Sequence, residues 1–95
     1  MSNDNHEKKY TSDPCTIGLG VALKDKKVIK AINQKIQRQH VFIGYKCEEI
    51  KIPEVVKVHL DFDCKPEEQC IIDPSLYITV NLISLKVEDI EGEDT

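Results

Sequence analysis

Residues 55–64 read VVKVHLDFDC, and this stretch decides the fold class. Val56, Val58, Leu60, Phe62 and Cys64 fall on one parity. Lys57, His59, Asp61 and Asp63 fall on the other. Strict alternation of apolar and polar residues is the signature of a strand with one face buried and one face wet. A KPEEQ turn follows, with Pro66 near its start, and Cys70 resumes the chain beyond it.

The downstream segment SLYITVNLISLKV, residues 75–87, reads as a second long strand. Leu76, Ile78, Val80 and Leu82 share a face, whereas Ile83, Leu85 and Val87 take the opposite parity. The face switch near Leu82 predicts a bulge or a strand serving two surfaces. An unbroken strand of this length exceeds the usual five or six residues, so its end is expected to reach beyond the domain. Upstream, VFIGYKCEEIKI (41–52) places Val41, Ile43, Tyr45 and Cys47 on one face, with Ile50 and Ile52 following before Pro53.

The period changes in DKKVIKAINQKIQRQH. Val28, Ile32 and Ile36 recur at i, i+4 and i+8, with Ile29 and Ala31 beside them. That stripe predicts a helix over 26–39, with Asp25 as its cap; the β-branched residues leave a strand as the competing reading. CTIGLGVAL (15–23) returns to period two. Ile17, Leu19, Val21 and Leu23 face one way and Thr16, Gly18, Gly20 and Ala22 the other, which predicts a strand whose small face admits a closely packed neighbour. Its GLG lacks the rest of any phosphate-loop motif.

The expected architecture is α+β: a small antiparallel sheet of four or five strands with one helix packed on one face, an all-β sandwich being the alternative. Residues 1–13 are polar and read as a flexible tail, residues 14–87 as a single domain, and residues 88–95, rich in acids, as a solvated acidic tail. With 95 residues, 40% hydrophobic and 32% charged, the chain suits one folded domain. It has three Tyr, two Phe and no Trp, so the core must be aliphatic. A domain this small is marginal alone and is commonly supplemented by disulfides, a metal or self-association.

The net charge of −4 opposes nucleic-acid binding, which needs a basic field. No apolar run suffices to span a bilayer, so no membrane partner is expected. The N-terminal residues show no apolar signal core, which predicts synthesis in the cytoplasm without a signal peptide; later exposure to an oxidising exterior stays open.

Chemistry centres on Cys15, Cys47, Cys64 and Cys70. A metal clasp would draw on His59, Asp61, Cys64 and Cys70, but same-face strand neighbours lie about 6.6 Å apart, and zinc wants three or four converging ligands. No metal or other cofactor is expected. His59 and Cys64 have opposite parity, so the thiol lacks a base and no nucleophilic set forms. Asp63, Glu67 and Glu68 beside Cys64 and Cys70 argue against a low-pKa redox thiol. Cys15 and Cys47 look like small buried hydrophobes. All four are disulfide candidates: Cys64 and Cys70 bracket a hairpin turn, where opposed residues come within bridging range, and Cys15, at the tail–strand junction, is placed to link neighbouring subunits.

With no catalytic motif, neither an enzyme nor a small-molecule substrate is expected. Contact with protein remains, as a homo-oligomer assembled through sheet edges and locked by disulfides. The expected interface is Ile17, Gly18, Leu19, Gly20 and Ala22 from the glycine face, with Tyr77, Ile83 and Leu85 from the long strand. The competing readings are a small acidic regulator or inhibitor of one partner protein, and a Cys/His metal or thiol sensor.

Overall fold

The structure is a computed structural model; it describes residues 13–50, 54–65, 67 and 69–93. Two helices, α1 (Pro14–Lys24) and α2 (Lys26–Gln37), precede four strands: β1 (Val41–Glu49), β2 (Val55–Asp63), β3 (Leu76–Asn81) and β4 (Lys86–Glu91). The strands form one antiparallel sheet in the order β1-β2-β3-β4. The fold is α+β, as the alternation of β2 demands. Val56, Val58, Leu60 and Phe62 are buried, and so are Leu76, Ile78 and Val80 on the neighbouring strand. Together with Ala22, Val28 and Ala31 from the helices they make the core, and only its rim residue Phe62 is aromatic.

The segment 15–23 is a helix, not a strand. Asp13 caps it, accepting from the Cys15 amide (3.4 Å) and the Thr16 hydroxyl (2.9 Å), and Pro14 occupies the first turn. A cap followed by proline is a helix start. The small residues then recur at helical spacing: Cys15, Gly18 and Ala22 share one face, and Gly18 and Ala22 are buried. A Cβ at position 18 would lie 2.5 Å from Val56 Cγ1, whereas one at position 20 would meet nothing within 4 Å. The small face does admit a close neighbour, but that neighbour is β2 of the same chain.

Asp25 both closes α1, its amide donating to the Ala22 carbonyl (3.2 Å), and opens α2, its carboxylate accepting from the Lys27 and Val28 amides (2.8 and 3.1 Å). The helix read over 26–39 runs over Lys26–Gln37. Its buried face is Val28, Ala31 and Lys35; Ile32 is half-buried and Ile36 is exposed. Gln39 then takes a left-handed φ of 66°, and the His40 amide reaches back to the Lys35 carbonyl at 3.0 Å, closing the helix.

The long strand expected over 75–87 is two strands. Residues 82–85 turn the chain: the Asn81 side chain accepts from the Ile83 and Ser84 amides (2.9 and 3.0 Å), and Leu85 adopts φ 57°. The parity switch at Leu82 marked a hairpin. β4 then takes up Glu88–Glu91, read from sequence as acidic tail, and Gly92 follows with φ +97°. A Cβ there would sit 2.2 Å from the Ser75 carbonyl oxygen, so glycine is required by both conformation and space. The tail read over residues 1–13 falls outside the described residues except for Asp13, the cap of α1; Ile52 and Pro53 also fall outside.

Candidate protein-contact surface

The β1 edge departs from regular alternation. Phe42 pairs with Phe62, and Tyr45, three residues on, pairs with Leu60, with a register shift between Phe42 and Gly44. The extra residue of this bulge brings Phe42 and Tyr45 to the helix-facing side of the sheet, although strict period two separates them. Tyr45 and Cys47 share a face, but Val41, opposite Asp63, lies on the other, so the bulge breaks the single face expected for Val41, Ile43, Tyr45 and Cys47. A lone glycine inside a strand pattern, here Gly44 after Ile43, is the signal that marks such a bulge.

The consequence is an apolar groove of about 460 Å³ lined by Leu19 and Leu23 of α1, Ile32 and Ile36 of α2, and Phe42, Tyr45, Leu60 and Phe62 of the sheet. Leu60 and Phe62 form its floor and are buried. The walls are open: Leu23 is 46% exposed, Ile36 58%, Phe42 53% and Tyr45 55%. Phe42 meets Phe62 edge to face, ring centroids 5.5 Å apart. Beside the groove Val41 and Ile43 are exposed too. Among the described residues β1 ends the sheet, and no described strand pairs with its outer row of backbone groups.

The opposite face of the sheet is polar. One row crosses all four strands: Lys46 opposite His59, His59 opposite Tyr77, Tyr77 opposite Glu91. The His59 and Tyr77 rings meet at right angles, 4.8 Å between centroids, and His59 Nε2 lies 3.4 Å from Glu48. The Tyr77 hydroxyl donates to Asp73. That bond, with a second from the Ser75 amide, holds the Asp73 carboxyl below its ordinary value of 3.8. The same bond raises Tyr77 above 10.0. Ser75 is buried, and its hydroxyl accepts from the Phe62 amide at 3.0 Å, extending the β2–β3 ladder through a side chain.

The expected interface residues scatter. Gly18 and Ala22 belong to the chain's own core. Ile17 is half-buried on α1, Gly20 is exposed there, and Leu19 enters the groove. Tyr77 stands on the polar face. Ile83 and Leu85 are exposed at the β3–β4 turn. Sequence reasoning missed Phe42, Leu23, Ile32 and Ile36 as one surface, because two helices and a bulged strand assemble it.

All four cysteines are paired. Cys15 joins Cys47 (Cα–Cα 5.6 Å), fastening α1 to β1, and Cys64 joins Cys70 (5.8 Å) beyond the end of β2. The second pair is the one that bracketed the turn. Cys15 bonds within its own chain, which corrects its expected role as an intersubunit link. The metal candidates separate: His59 and Asp61 lie on the polar strand face, while Cys64 and Cys70 approach Asp63 instead. Two disulfides are compatible with an oxidising exterior. No described helix is long and apolar enough to cross a membrane. No family model, curated protein or solved structure matches the chain.

Proposed function

We propose that the chain is a non-enzymatic self-assembly module in which the β1 edge and apolar groove of one copy seat against those of a second. The groove carries this reading. Open apolar walls beside an unpaired strand edge are what strand-pairing interfaces use. A two-fold contact buries the same patch on both copies. Antiparallel pairing about Ile43 and Gly44 sets Phe42 opposite the second copy's Tyr45, so that aromatic rings meet on the groove side. The described β1 residues carry their charges, Lys46, Glu48 and Glu49, in the second half of the strand, away from that centre.

The test is mass by light scattering after size exclusion, across a wide concentration range, with and without reductant. The expected result is a concentration-dependent dimer that Phe42→Asp with Tyr45→Asp converts to a monomer with unchanged circular dichroism. Reductant should leave the mass unchanged, since both bridges lie within the chain. A monomer at every concentration overturns self-assembly.

A further inference from the structure

We propose that the loop closed by Cys64 and Cys70 is a redox-gated site for a soft divalent cation of the zinc type, held by both cysteine sulfurs and the Asp63 carboxylate. Three observations meet there. The ligand atoms of Asp63, Cys64 and Cys70 all lie within 4.8 Å of one another, each Sγ being 3.8 Å from Asp63 Oδ1. The Cys64 amide donates to both Asp63 Oδ1 (2.9 Å) and Cys70 Sγ (3.1 Å), so one backbone N–H ties the carboxylate and a sulfur together. Asp63 and Cys70 are exposed and Cys64 half-buried, so reductant and cation both have access.

The geometry suits either state. Tetrahedral zinc with bonds of about 2.3 Å holds two cysteine sulfurs about 3.8 Å apart. Side-chain rotation provides that separation from a Cα–Cα distance of 5.8 Å. A dithiol delivers two electrons and two protons to the Cys64–Cys70 bond and leaves as its own disulfide. The cation then forms two metal–sulfur bonds and one metal–oxygen bond, releasing two protons; water completes the fourth position. The carboxylate of Asp63 supplies negative charge that is neutralised when the cation binds. His59 and Asp61, on the polar face of β2, take no part.

The Cys15–Cys47 pair has no carboxylate in a comparable cluster among the described residues, which makes the two pairs distinguishable. The experiment is a cobalt(II) titration of the full chain, anaerobically, before and after reduction with a phosphine, followed through the sulfur-to-cobalt charge-transfer band. Reduced chain should bind one equivalent and oxidised chain none. Cys70→Ser and Cys64→Ser should each abolish the band. Asp63→Asn should weaken affinity about tenfold while leaving the disulfide able to form. The Cys15→Ser, Cys47→Ser double variant should retain the band. Absence of a band in the reduced chain overturns the site. So does a band that survives Cys70→Ser, or an affinity indifferent to Asp63→Asn, which would mean bare thiols suffice. If the double variant does not fold, the single variants at 63, 64 and 70 still decide.

Discussion

The two edges of the sheet use the same backbone device to opposite ends. β4 has a register shift between Val87 and Asp89, opposite Val80 and Thr79 of β3, and β1 has one between Phe42 and Gly44. Each shift turns two apolar residues spaced three apart toward the helices: Val87 and Ile90 on β4, Phe42 and Tyr45 on β1. On β4 that pair packs against the core. The bulged residue there is Glu88, held by the Asn81 amide at 2.9 Å, and the edge is otherwise lined with Lys86, Asp89 and Glu91. Charged, short and bulged, it discourages a further strand. On β1 the bulged residue is Ile43, 65% exposed, and Phe42 and Tyr45 stay half open to solvent. A bulge closes an edge only when its side chains are charged and the helices cover what it turns inward. Without both, it presents an apolar surface.

The largest expected effect tests how firmly the open edge is anchored. Cys15→Ser with Cys47→Ser removes the bridge from α1 to β1, which spans 32 positions, and should cost about 3–4 kcal/mol by loop entropy. The same change at Cys64 and Cys70, separated by 6, should cost about 2 kcal/mol. Urea midpoints of the two double variants measure the difference; equal losses would mean that the bridge to β1 has no special hold.

Next comes a direct contrast of the two inward pairs. Ile90→Asp places a charge against the core and should destabilise by about 3 kcal/mol. Phe42→Asp should cost only about 1 kcal/mol, mainly its edge-to-face contact with Phe62, while shifting the mass in solution. Comparable stability losses would erase the distinction between the edges.

Gly92→Ala probes the end of β4. The positive φ and the Ser75 carbonyl oppose a methyl there, and a loss of about 2–3 kcal/mol is expected in thermal or urea unfolding. A neutral result would show that the chain end beyond β4 is not seated against β3.

The smallest effect concerns the polar face between the edges. Asp73 has a lowered folded pKa because Tyr77 donates to it. Its contribution to stability is therefore complete above the ordinary carboxylate value and lost as pH falls through the lowered one. Tyr77 has a raised folded pKa, so its contribution is present below pH 10.0 and lost as pH rises past the raised value. Unfolding midpoints of the wild type and Tyr77→Phe should differ most in between and converge in strong acid. A constant gap down to the lowest pH would assign the effect to packing against His59.

The sequence alone determined β2 and the core-facing side of β3, because each has one face against the core and one against water and a two-residue period records that directly; it ran β3 on through the turn at 82–85 and left the rest of β4 to the tail. It also offered the Cys64–Cys70 bridge as a candidate, since the partners lie close in sequence across one turn. What it misassigned was α1. A helix whose buried residues are only Gly18 and Ala22 leaves little hydrophobic contrast, and its larger residues happen to alternate. Asp13-Pro14 was the local signal, outweighed by the period. The hairpin at 82–85 was visible only as a parity change, since Leu-Ile-Ser-Leu contains no Gly or Pro. The Cys15–Cys47 bridge and the groove belong to tertiary structure alone. The first joins residues 32 apart; the second collects side chains from two helices and two strands. A pattern along the chain reports which face of an element is apolar. How much of that face the rest of the chain covers is decided only when the elements are packed, and here they leave Phe42, Tyr45 and Ile36 open.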